Sequence, residues 1–196
     1  MTVLDKIQQQ FAHHTESHFA AAELLPRAIE HASEVISQAL LAGHKIMTCG
    51  NAGAGLLAQY FASGMLNRFD KERPSLPALA LTTDSAAISS IACLYDYDQI
   101  FSKQLRAFGL EGDVLLMIAT QQANNLQQAI EAAQDRQMRL ICLVGQNDTD
   151  MISSLRPEDV AIIIPAELSA QVLEIQLQII HALFAALDYL LFGIED

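Results

Sequence analysis

Gly50, Gly53 and Gly55 stand in the spacing G-x-x-G-x-G, with Asn51, Ala52 and Ala54 between them, after an apolar run and before an apolar helical pattern. Glycines let a backbone turn sharply, and the free N–H groups and positive dipole end of the helix that follows face an anion. The guest implied by such a loop is a phosphorylated small molecule. The spacing satisfies neither the dinucleotide pattern G-x-G-x-x-G nor a P-loop ending in G-K-[ST]. A tight turn that merely packs helix against sheet accounts for the glycines equally well.

Two further polar clusters stand at 82–85 (Thr82, Thr83, Asp84, Ser85) and 120–125 (Thr120, Gln121, Gln122, Ala123, Asn124, Asn125). His181 lies among Ile179, Ile180, Leu183 and Phe184, a setting in which a histidine is more often a packed residue than an acid–base group. His13, His14 and His18 include an i, i+4 pair, but no third metal ligand is evident, and a solvated helix face is the simpler reading. The run Arg68, Lys71, Glu72 and Arg73 reads as solvated loop. Leu190, Leu191 and Phe192 near the end of the chain either pack on a neighbouring subunit or present an apolar patch to a partner.

Positioning these groups falls to a regular alternation of elements. Apolar residues at helical spacing over 3–22, opened by Thr2 and Asp5 as a capping box, predict a first helix. Pro26 starts a second helix, which Gly43 ends. Apolar runs at 45–50, 76–81, 113–119, 139–144 and 159–164 predict five strands, with helices between them and a long apolar helix over 168–192. Strands of this kind form a parallel sheet covered on both faces. In such sheets ligands sit beyond the carboxyl ends of the strands, where strand order reverses. The loops at 50–55 and 120–125 fall there, with 82–85 as a third contributor.

A net charge of −12 repels phosphate backbones and anionic surfaces, so neither direct nucleic-acid nor membrane binding is expected. Cys49, Cys93 and Cys142 lack C-x-x-C spacing and read as buried reduced thiols, which suits the cytoplasm. No signal peptide or membrane span is read in the sequence. With 52% hydrophobic residues, the chain has apolar surface to spare for an oligomer.

The segments CGNAG, NRF, RPSLPALALTTD and GDVLLMIAT, with the long last helix, resemble the sugar isomerase (SIS) family and its phosphoheptose isomerase branch over essentially the full length. NRFDKE before the second strand and DYLLF near the end are more similar to the DiaA-like members, which associate with the DnaA initiator. The resemblance implies a three-layer α-β-α, flavodoxin-like α/β fold with a five-stranded parallel sheet and two leading helices. It also implies one SIS domain over 1–196, with a helical pair at 1–42 and an α/β core at 44–196, and a homotetramer. No cofactor is expected, and no metal, since Tyr60 stands where the family has a metal-binding histidine.

The same resemblance places the family's catalytic histidine at His181, and it implies a ligand site for a phosphorylated sugar at Asn51, Ala52, Gly53, Ala54, Thr83, Asp84, Thr120, Gln121 and Asn124. The family's glutamate base falls on Gly64, its histidine metal ligand on Tyr60 and its partner glutamine on Leu173. One histidine without the carboxylate is a poor isomerase. The expectation is therefore a non-catalytic homotetramer that binds DnaA multivalently through Leu191 and Phe192 and promotes replication initiation. A phosphoheptose isomerase-like enzyme using His181, or a phosphosugar-binding sensor for a ligand of the sedoheptulose 7-phosphate type, is the alternative.

Overall fold

The structure, a computed structural model, describes residues 1–194. Its first helix, α1 (Val3–Leu24), opens with the expected capping box: Thr2 accepts from the Asp5 N–H, and Asp5 accepts from the Thr2 N–H. After α2 (Pro26–Leu41) the chain alternates through β1 (Ile46–Gly50), α3 (Ala52–Leu66), β2 (Ala78–Ala80), α4 (Ser85–Leu94), α5 (Ser102–Phe108), β3 (Val114–Ile118) and α6 (Asn124–Asp135). It closes with β4 (Arg139–Gly145), α7 (Thr149–Ser153), β5 (Val160–Ile164) and α8 (Ser169–Phe192). All strand pairings are parallel, in the order β2-β1-β3-β4-β5. This is the expected α/β fold.

Side chains alternate between two cores because successive strand residues point to opposite faces. Ile46, Val114, Leu116, Ile118, Ile141 and Leu143 pack beneath α2, α3 and α8. Met47, Cys49, Leu115, Met117, Leu140 and Cys142 pack beneath α5 and α6. Helix α8 is long and apolar enough to cross a membrane by length and composition, but 44% of that window is buried inside the fold, against the sheet.

Three local differences from the sequence reading have physical causes. β2 spans only Ala78–Ala80, shorter than the apolar run that announces it, because Pro77 at its start cannot donate to a ladder. Burial pushes the Cys49 and Cys142 thiols far up, as expected of inert thiols, whereas Cys93 is exposed on α4. Arg73 is no solvated loop residue. It is buried, ion-paired to Asp188 at 2.6 Å, and donates to the carbonyls of Gly64, Met65 and Pro74.

Candidate functional site at the strand ends and the α3–α8 seam

Strand order reverses between β2-β1 on one side and β3 on the other, so the loops after β1 and β3 lie side by side. Gly50 ends β1 where no side chain fits: a Cβ there would lie 2.7 Å from the Ile118 oxygen and 2.8 Å from Ala54. Ala52 follows with φ +49°, a left-handed conformation for a residue with a side chain. Strain of this kind persists where the surroundings hold it, often at functional sites. A cleft of about 200 Å3 opens here, lined by Gly50, Asn51, Ala52, Gln59, Thr82 and Tyr97 among others.

The expected loop residues divide into those that face this region and those already engaged. The Asn51 and Asn125 side-chain amides bond each other reciprocally, both at 2.8 Å. Gly53 backs onto Leu173 and Ala54 is buried in the core, so these two offer only backbone groups. Thr83 donates its hydroxyl to Ala80, and Asp84 caps α4 by accepting from the Ala87 N–H at 2.8 Å. The Thr120 carbonyl accepts from Ser169, Gln121 is exposed, and the Asn124 amide donates to Asp98 at 3.2 Å.

His181 stands elsewhere. Leu173 meets Gly53, His181 meets Tyr60, and Phe184 meets Gly64, so α8 and α3 run parallel along a shared seam. Tyr60 lies eight residues beyond Ala52, roughly 12 Å down the helix. The Tyr60 hydroxyl is 3.0 Å from His181 Nε2, donating to it when that nitrogen is unprotonated and accepting when it carries the proton. Phe69 covers the imidazole with ring centroids 5.1 Å apart. At Gly64 an added Cβ would overlap the Phe184 ring, which itself stacks on Phe61 at 5.4 Å and Phe69 at 5.1 Å. Aromatic rings thus fill the ground that a carboxylate at position 64 would need.

His14 contacts Glu174, and His18 bonds Gln178 at 2.7 Å, so the histidine pair on α1 binds it to α8. Among the described residues no group of three His, Cys, Asp or Glu side chains is placed to hold a metal ion. Leu191 packs on the α8-side core, and Phe192 remains 37% exposed.

Residues 10–145 match the model of the SIS domain. The chain belongs to the SIS domain family. A phosphoheptose isomerase of Alteromonas mediterranea is 43% identical over 97% of this chain and 96% of its own length. One from Chromohalobacter salexigens is 48% identical over 88% of each chain. The solved phosphoheptose isomerase of Francisella tularensis superposes with a TM-score of 0.93 at 37% identity, covering 96% of this chain and 99% of that one. This SIS protein is therefore similar, along nearly its whole length, to proteins named for catalysis. Two expectations are corrected by that finding: the non-catalytic adaptor for DnaA, and the reading that the chain is not an enzyme. The adaptor reading gave three altered side chains, Tyr60, Gly64 and Leu173, more weight than likeness along the entire chain. With it falls the assignment of Leu191 and Phe192 to a DnaA surface.

Sequence reasoning missed Phe69, Gln176, the bonding of Asn125 to Asn51 and the pairing of Tyr60 with His181. Gln176 is fully buried and donates to the Ala119 and Leu143 carbonyls, tying α8 to the ends of β3 and β4. A signal was present: Gln176 falls on the same helical face as Val172, Ile175 and Ile179, and an amide among apolar neighbours needs partners.

Proposed function

We propose that this SIS protein is a sugar-phosphate isomerase of the phosphoheptose type, acting on a ketose phosphate such as sedoheptulose 7-phosphate. The observation that carries the reading is the Tyr60–His181 contact on the α3–α8 seam, in a chain 43% identical to a phosphoheptose isomerase over nearly its full length. Aldose–ketose interconversion removes a proton from the carbon beside the carbonyl, forms an enediol, and returns a proton to the neighbouring carbon. His181 takes and returns that proton, and the Tyr60 hydroxyl moves the proton on oxygen. The phosphate end lies at the start of α3 and the 120–125 loop, where backbone N–H groups and Thr120 receive it.

The exposed apolar residues of α1, Leu4, Phe11 and Phe19, and an apolar cleft of about 410 Å3 between α2 and α8 support a homo-oligomer, a tetramer in this reading. Light scattering of the purified protein measures that mass. Turnover of sedoheptulose 7-phosphate, followed by NMR, tests the activity, and His181→Ala should lower kcat by about 10²–10⁴-fold. Equal turnover in wild type and variant would remove His181 from the reaction.

A second reading is favoured by Gly64 and the ring of Phe184 beside it: a phosphosugar-binding sensor without turnover. Thermal stabilisation by the sugar phosphate with no product formed would select it.

A further inference from the structure

Asn51 sits at the N-cap of α3 with extended backbone angles, φ −102° and ψ 150°. Asparagine is among the best side chains for that position, where its oxygen accepts from the N–H two or three residues on. Yet Asn51 makes no cap bond. Both ends of its amide are engaged by Asn125, whose own side chain is 1% exposed. Helix α6, which carries Asn125, likewise begins without a side-chain cap, at Ala123. Thr2 on α1 and Asp84 on α4 bond their own helices, whereas Asp148 at the start of α7 is, like Asn51, turned to another partner, the Gly145 N–H. Asn51 stands where β1 and β3 part and strand order reverses.

We infer that Asn125 is a positioning residue that holds the Asn51 amide away from the first turn of α3, keeping the Gly53 and Ala54 N–H groups free for an anion. Asn51 would otherwise compete with that anion as an internal occupant of the same donors. Asn125 need not touch the ligand to do this, since its effect runs through Asn51. The inference rests on the reading that a phosphate binds at this loop.

The test compares Asn125→Ala with Asn51→Ala/Asn125→Ala. In the single variant Asn51 is released to cap α3, and titration calorimetry with inorganic phosphate and sedoheptulose 7-phosphate should show affinity falling about five- to tenfold, the worth of one cap. In the double variant the competitor is gone, and affinity should rise above that of the single variant. A merely structural role predicts the opposite order, the double variant binding no better, and that result overturns the inference. A crystal structure of unliganded Asn125→Ala gives a readout independent of binding. The Asn51 oxygen should lie within hydrogen-bond distance of the Gly53 or Ala54 N–H, and an Asn51 side chain still turned toward residue 125 overturns the inference. If the wild type binds neither probe, the sugar-phosphate reading falls, while the crystal structure still decides whether Asn125 restrains Asn51.

Discussion

Along the α3–α8 seam the space between two helices is filled by Phe61, Phe69 and Phe184, and a carboxylate buried beside them, Asp188, has Arg73 as its counter-ion. At the strand-end loops the bridges are amides, Asn51 to Asn125, and the buried carboxylate there, Asp148, accepts from the Gly145 N–H at 3.0 Å without a cation in the bond. The seam is held by packing and a neutralised charge. The loops are held by directional bonds, among them those to Asp148, a charge that burial disfavours. Close packing along the seam suits the proposed acid–base pair of Tyr60 and His181, and the amide-bridged loops lie at the end of the fold where the anion is proposed to bind.

The sharpest way to break this contrast is Arg73→Ala. It strands Asp188 as an uncompensated buried charge and removes the donors to Gly64, Met65 and Pro74. Removing one partner of a buried pair costs about 3–5 kcal/mol, to be read from the urea midpoint. Glu72→Ala, which removes the exposed partner of Arg68, should cost no more than about 1 kcal/mol. Equal losses in the two variants would mean that burial does not distinguish the pairs.

Gly64→Ala probes the packing itself. Its methyl group would push into the Phe184 ring, and such overpacking costs about 1–3 kcal/mol. Gly64→Ala/Phe184→Leu should recover part of that loss, because the two sites share one space. A neutral single variant would show that the seam has room the rings do not use.

The contrast also marks what the sequence could and could not tell. Helix periods, the Thr2 capping box and five apolar runs are local signals, and they led to the α/β fold and the strand-end loops. Arg73 was misread because its partner, Asp188, is far along the chain and its neighbours Arg68, Lys71 and Glu72 look like solvated surface. The short helix Thr149–Ser153 has too few residues to show a period in sequence. Tyr60 was read only as the residue standing where the family has a metal-binding histidine, when its structural use is the bond to His181. Asn125 was legible as a residue type, but its role depends on Asn51 across a strand-order reversal, which no spacing encodes. Function was misjudged for a related reason: individual side chains at Gly64 and Leu173 say what is missing and not what the surrounding chain has kept.

Asp148→Asn is the gentlest test of the two ways of burying a carboxylate. Burial raises the Asp148 carboxyl above its ordinary value, against the Gly145 and Gln122 backbone N–H groups, which lower it by less. In a window just above the ordinary carboxylate range, the folded chain keeps this proton after the unfolded chain has lost it. The folded state then binds more protons, so the contribution of Asp148 to stability falls as pH rises through that window. Asparagine keeps an acceptor for Gly145 and removes the charge. The variant should therefore match the wild type near pH 4 and become slightly the more stable by pH 7 to 8, which a series of melting temperatures would resolve. A wild type that is the more stable at neutral pH would mean that the charge on Asp148 is favourable in place, through the N–H groups around it. The loops would then share with the seam a buried charge that the fold satisfies, by backbone dipoles in place of an arginine.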